Sequence, residues 1–157
     1  MMRIATIVAV VILTLDQVSK YWVVHMMGLD RRLAIDVWPP YLNFRMAWNQ
    51  GVNFGLFAHD AEVMRWILIA VALVISAVVW VWAWRQEPGA LMQVSVGLLV
   101  GGALGNVIDR ILYGAVADFI NMSCCGINNP YAFNIADVAI FAGAFGLILL
   151  AGRHKTP

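Results

Sequence analysis

Four long apolar runs, separated by short polar segments, leave this chain few ways to fold. Val63 to Trp84 and Leu91 to Leu112 each run for roughly 22 residues, or ~33 Å of helix, enough to cross the hydrocarbon of a bilayer. A first run extends from Ile4 to Met27, uninterrupted as far as Leu15, with Asp16 and Lys20 in its second half. A fourth starts at Asn134 and ends at Ala151, at the short end of the spanning range, so its ends should lie close to the interfaces. Charged residues are only 12% of the 157, too few to solvate the surface of so short a chain. An ordinary soluble globule and a disordered chain are excluded. A net charge of +1 leaves no basic footprint for nucleic acid. The expected architecture is a single integral membrane domain over residues 1–157, mainly α, with four transmembrane helices and a small antiparallel β-sheet.

Two alternatives bear on the ends of this scheme. Arg3 before a short apolar run could open a cleaved signal peptide, but the polar group Asp16-Gln17-Ser19-Lys20 and the lack of a small-x-small cleavage site favour retention as a span. An even number of spans puts both termini on one side. Arg3, Arg85, Arg153 and Lys155 would then lie inside and Arg31, Arg32 and Arg45 outside, a small margin for cytoplasmic termini.

Two segments remain outside the spans, at about 29–62 and 113–133. The first alternates as Leu33/Ile35/Val37, Phe44/Met46/Trp48 and Val52/Phe54/Leu56, with Pro39-Pro40 and Asn49-Gln50-Gly51 as turn signals. This pattern predicts an antiparallel sheet at the interface with Trp38, Trp48 and Phe57 toward lipid headgroups; the alternative is an unstructured interfacial loop. The second segment, with Gly126, Asn128, Asn129 and Pro130, reads as a loop.

Ionisable residues at membrane depth are costly and mark functional candidates. Asp16 and Lys20 share a helix face at i and i+4, and an internal ion pair or a substrate-facing role is equally compatible with that spacing. Asp109 and Arg110 are consecutive, point in different directions, and each needs a partner from another element. Asp118 lies just beyond the third span and Asp137 in the first turn of the fourth, so both carboxylates come to one membrane face. Two acids at one depth cannot both ionise easily; they are either the parts of an aspartyl hydrolase or two solvated caps. Asn134 has the position of an N-cap, compatible with a second role. The stripe Gly97-x-x-x-Gly101-x-x-x-Gly105 permits close helix packing.

Other chemistries find little support. There is no His-Glu-x-x-His, and His25, His59 and His154 are scattered. Ser19 and Lys20 are adjacent and make a poor dyad; no Gly-x-Ser-x-Gly occurs. Cys124-Cys125 lacks a neighbouring base in sequence, and is either a free thiol pair or a strained vicinal bridge.

Asp16-Gln17-Val18-Ser19-Lys20, Asn49-Gln50-Gly51-Val52-Asn53-Phe54-Gly55, Gly101 through Arg110 (with Gly105-Asn106-Val107-Ile108-Asp109-Arg110), Gly114-Ala115-Val116-Ala117-Asp118-Phe119 and Phe133-Asn134-Ile135-Ala136-Asp137 together make the chain resemble the lipoprotein signal peptidases, the type II signal peptidases of bacteria, over nearly its whole length. The family commonly has Ala where Val52 stands and Ser where Asn53 stands, a departure that touches nothing catalytic. It has no fixed requirement for the Cys124-Cys125 pair. The resemblance implies an aspartyl endopeptidase of the bacterial inner membrane. It would cleave a diacylglyceryl-modified prolipoprotein just before the lipidated cysteine, act as a monomer among membrane lipids, and use neither metal nor organic cofactor. It carries the catalytic dyad to Asp118 and Asp137. Asn106, Asp109, Arg110 and Asn134 carry over as residues around the dyad, and Asp16, Lys20, Asn49 and Gly51 as supporting positions. It places the site at the periplasmic face with both termini cytoplasmic. Within the dyad, the first helical turn favours an ionised Asp137, and apolar Val116, Phe119 and Ile120 favour a neutral Asp118. A small membrane carrier or assembly factor, with its charges along a binding path, is the alternative from another class.

Overall fold

A computed structural model describes residues 2–51 and 61–151. Helix α1 (Arg3–Lys20) continues without a break into a π-helical segment, Tyr21–Met26. A single turn, α2 (Leu29–Arg32), leads into strands β1 (Ala34–Trp38) and β2 (Leu42–Asn49). Helices α3 (Ala61–Arg85) and α4 (Ala90–Tyr113), strand β3 (Val116–Asn121) and helix α5 (Ile135–Ala151) follow. Three helical stretches, Arg3–Met26, Glu62–Arg85 and Ala90–Tyr113, are long and apolar enough to cross a membrane; Ile135–Leu150 is apolar but shorter.

Helix α4 is the hub, packed against α1, α3 and α5. Lipid offers helices no hydrophobic reason to associate, so close backbone approach over small residues has to supply the packing. A Cβ on Gly97 would stand 2.6 Å from the Ala5 carbonyl oxygen, and one on Gly101 2.6 Å from that of Ala9. On the α5 side, a Cβ on Gly102 would stand 2.5 Å from the Ala136 carbonyl oxygen. The glycine stripe is therefore a packing seam, as its spacing suggests. Ala5, Ala9, Asp16 and Lys20 form the buried face of α1, apolar at one end and ionic at the other.

The sheet has the order β1-β2-β3, antiparallel throughout. Ile35 pairs with Phe44, Ala47 with Asp118 and Trp48 with Ala117, and each ladder contains one irregularity. Beneath it, Val23, Leu29 and Phe119 are buried, with Ile35, Phe44 and Met46 packed against them; the Phe44 and Phe119 rings meet edge-on, 5.7 Å between centroids. The expected sheet is present, but its composition differs from expectation in two respects. Leu33 is not part of a strand: it takes a φ of 61° and caps α2 by donating its N–H to the Leu29 carbonyl. The segment after α4, read as a loop, contributes β3. Five of its six residues, Val116–Phe119 and Asn121, are buried, so it lacks the alternation by which a half-buried strand is recognised. The expected run Val52/Phe54/Leu56, and Phe57, lie outside the described residues. Trp38 and Trp48 are exposed, as expected of interfacial aromatics.

Two connections aim the chain at the site. Gly114, at a φ of 78°, closes α4 by donating its N–H to the Arg110 carbonyl and turns the chain into β3. After β3, residues 122–132 return the chain so that Phe133 and Ile120 exchange N–H···O bonds of 3.0 and 2.8 Å. Asn121 Nδ2 holds this return by donating to the carbonyls of Asn129 and Tyr131.

Gly101→Ala should lower stability by about 1–3 kcal/mol, the usual cost of overpacking, because the new methyl meets the backbone of α1 rather than a movable side chain. A Cβ on Gly89 meets nothing within 4 Å, so Gly89→Ala is the matched control. Thermal unfolding of the purified proteins in detergent should show a lowered Tm for Gly101→Ala and a smaller change for Gly89→Ala.

Candidate active site

At the end of α1 nearest the sheet, three charges are buried together. Lys20 is 5% exposed, and Asp16 and Asp109 are both fully buried. Nζ of Lys20 lies 2.7 Å from Asp16 Oδ2 and 2.7 Å from Asp109 Oδ2. Its third proton points to Asn106 Oδ1 at 3.3 Å, so an ammonium with three donors has three acceptors. The i, i+4 pair of Asp16 and Lys20 is thus internal to the fold. Asp109, which required a partner from another element, has several: Lys20, Gln17 Nε2 at 2.9 Å and the N–H of Ala117 at 3.1 Å. Asp16 Oδ1 accepts the N–H of Ala136 at 3.0 Å. Gly105 makes room for this, since a Cβ there would stand 2.6 Å from Asp16 Oδ2.

The start of α5 is capped twice. Asn134 Oδ1 accepts the Asp137 N–H at 2.9 Å, and Asp137 Oδ2 accepts the Asn134 N–H at 3.3 Å, a reciprocal capping box with Asp in the Glu position. Asp16 takes the neighbouring N–H of Ala136. The N–H groups of Asn134, Ala136 and Asp137 are in this way assigned to carboxylates and an amide drawn from α1 and from α5's own start.

Asp118 and Asp137 meet around this cap. Asn134 Nδ2 donates to Asp118 Oδ1 at 2.7 Å, so one asparagine touches both carboxylates. Asn106 Nδ2 donates to Asp137 Oδ1 at 2.9 Å, while its Oδ1 accepts from Asn134 Nδ2 at 3.3 Å. Asn49 Nδ2 donates to Asp118 Oδ2 at 3.1 Å. Gly51, at a φ of 86°, donates its N–H to Asn49 Oδ1 at 2.8 Å and so fixes which end of that amide faces Asp118. Arg110 donates from Nη1 to the Asn106 carbonyl at 3.3 Å, and its buried Nε has no partner among the described residues. Burial first, and the charge of Asp137 second, push the Asp118 carboxyl up to about 6, against the lowering effect of Asn49, Lys20 and Asn134.

The structure therefore brings together every position singled out in the sequence: Asp118, Asp137, Asn106, Asn134 and Asn49 in direct contact, Gly51 bracing Asn49, Arg110 beside them, and Asp16, Lys20 and Asp109 as the charged cluster behind. Gln17 was not singled out. Its Nε2 reaches Asp109, Asp16 and the Gly105 carbonyl, and the available signal was an amide side chain at membrane depth beside Asp16. An open cleft of about 340 Å³ is lined by Gln17, Lys20, His25, Trp48, Asp109 and Tyr113 among others. Trp48 and Ala117 line it, while their neighbours Asn49 and Asp118 do not and hydrogen-bond to each other. Cys124 and Cys125 are free and exposed, at a turn with φ of 59° at Cys125 and 80° at Gly126. Among the described residues, no group of three or more His, Cys, Asp and Glu side chains could hold a metal ion.

The arrangement is that of two neighbouring carboxylates, one of them pushed up to about 6, held by amides that do not titrate. Comparison with known proteins shows what the chain as a whole is similar to. The signal peptidase (SPase) II family profile matches residues 8–152. The lipoprotein signal peptidase of Methylorubrum extorquens (strain PA1) is 45% identical over 142 residues, covering 87% of this chain and 78% of that protein. The lipoprotein signal peptidase of Caulobacter vibrioides is 38% identical over 149 residues, covering 93% and 84%. A bacterial membrane enzyme solved by the in meso method superposes with a TM-score of 0.78 at 30% identity, covering 97% of this chain and 94% of its own.

A carboxyl whose pKa rises on folding binds its proton more tightly in the folded state. Its favourable contribution is complete below the ordinary value of 3.8 and is lost as pH rises to about 6. Thermal stability should therefore fall between about pH 4 and pH 6, by on the order of 3 kcal/mol at most for this group, and Asp118→Asn should remove that part of the fall. Melting curves of the two proteins in detergent across this range check it.

Proposed function

Given that the chain belongs to the signal peptidase II family and is a membrane protease that removes the signal peptide of prolipoproteins, we propose that Asp118 and Asp137 carry out the cleavage as an aspartyl dyad. The observation that carries this reading is the double contact of Asn134, which donates to Asp118 at 2.7 Å and caps reciprocally with Asp137. In the free enzyme Asp137 is ionised and Asp118 holds the shared proton. Raised affinity at Asp118 and the helix-start amides around Asp137 support that division. Asp137 takes a proton from water as its oxygen attacks the scissile carbonyl carbon, and Asp118 gives its proton to the carbonyl oxygen. On collapse, Asp137 passes its proton to the departing cysteine nitrogen, the C–N bond breaks, and the diol returns a proton to Asp118. Arg110, with donors in a rigid fork and Nε unpaired among the described residues, positions a substrate carbonyl.

The substrate is a diacylglyceryl-modified prolipoprotein cut before its lipidated cysteine, in the bacterial inner membrane. Acyl chains on that cysteine keep the scissile bond near the leaflet surface. A dyad between the end of α4 and the start of α5 meets such a bond without lifting the lipid out. An extended substrate has unsatisfied backbone groups that are costly in lipid, and Asn and Arg side chains can meet them. We place the domain as a single unit of four spans, with α5 as a short fourth of about 26 Å, both termini cytoplasmic and the sheet and dyad periplasmic. The chain works as a monomer among membrane lipids, without a cofactor.

Asp118→Asn and Asp137→Asn should each abolish cleavage of a lipidated precursor by purified protein reconstituted in lipid, with insertion and melting behaviour retained. Substantial turnover by either variant would overturn the dyad.

A further inference from the structure

Asn106 stands between the buried charge cluster and the dyad, and only one orientation of its amide suits both. Its Oδ1 receives the Lys20 ammonium and Asn134 Nδ2, each at 3.3 Å, and its Nδ2 donates to Asp137 at 2.9 Å. Turning the amide over would set NH₂ against an ammonium and a second NH₂, and oxygen against a carboxylate. An amide whose oxygen accepts from a cation is polarised, which strengthens its N–H as a donor. Lys20 itself does not contact either dyad carboxylate. Its charge reaches Asp137 through one amide, and both Lys20 and that amide's residue, Asn106, are buried.

We propose that Lys20 is a positioning residue for the dyad, acting through Asn106 to keep Asp137 in the ionised state that activates water. This inference rests on the dyad reading above. The charges facing Asp137 are Arg110 on α4, Asp118 on β3 and, through the Ala136 amide and Asn106, Asp16 and Lys20 on α1. Of the two cations, Arg110 acts on both carboxylates. Lys20 acts on Asp118 through its charge as well, but its hydrogen-bonded path through Asn106 Nδ2 ends on Asp137, and that path is what the double-mutant cycle isolates.

The test is a double-mutant cycle with Lys20→Met and Asn106→Ala, read by single-turnover cleavage of a lipidated precursor with the purified full-length protein in lipid. Lys20→Met should slow the chemical step roughly 10- to 100-fold, the range seen when an outer partner of a catalytic group is removed, with KM changed by less than about twofold. Its acid limb of rate against pH should move to higher pH, because an Asp137 deprived of the polarised donor holds its proton more tightly. In the Asn106→Ala background, Lys20→Met should cost no more than about twofold further, since the path is already cut. Losses that multiply, or an acid limb that stays in place, would overturn the proposal and show Lys20 to be structural. Should Lys20→Met fail to fold, Lys20→Met with Asp16→Asn keeps the net charge of the cluster and is read in the same way. Asp137→Asn runs alongside: turnover there would overturn the dyad itself, whereas a dead Asp137→Asn with multiplying losses overturns the relay alone.

Discussion

One ammonium held between two carboxylates, away from water, is the interaction on which the rest of this structure depends. Lys20, Asp16 and Asp109 join α1 to α4. Each carboxylate also takes a backbone amide from a third element, Asp16 from α5 and Asp109 from β3. Four elements are therefore registered at one depth. Such a cluster is not a simple gain in stability, because desolvating the ions offsets much of their attraction, while removing one partner costs about 3–5 kcal/mol. Its contribution is specificity. A glycine stripe with a four-residue repeat would tolerate a helix sliding by one turn, small residue again meeting small residue. The charged cluster would not, since a one-turn slip of α1 would part Lys20 from Asp109 and Asp16 from the Ala136 amide.

The helices were legible because lipid sets a length and forbids charge, and both are visible as runs of residues. Asn134 was legible as a cap because capping is local. The strand at Val116–Asn121 was not: periodicity reports a difference between two faces, and here both are covered, one by the π-helical segment of the first span and one by the dyad surroundings. Contacts between distant residues were beyond the reach of spacing alone. Asp16 and Lys20 at i, i+4 fit an ion pair and an exposed site equally well, and only the arrival of Asp109, 89 positions beyond Lys20, decides between them. The motif blocks carried the family resemblance, while the geometry supplies what they leave out: which amide end faces which carboxylate, and that Gln17 belongs to the cluster.

The two carboxylates proposed as the dyad are chemically identical and differ only in what surrounds them. Asp137 is written into a helix start, where amide hydrogens and the helix dipole favour negative charge. Asp118 is on a strand whose neighbours are buried, and its carboxyl is pushed up to about 6. The groups that contact them directly are Asn49, Asn106, Asn134 and backbone amides, none of which titrates. Asn134 contributes further, because its amide donates to one carboxylate while its backbone and oxygen are bonded to the other's residue. A shift of charge from Asp137 to Asp118 changes the strength of bonds on both sides of the same side chain without moving it. In the dyad we propose, an amide cap would therefore serve as a fixed frame in which a proton changes places between two acids during hydrolysis.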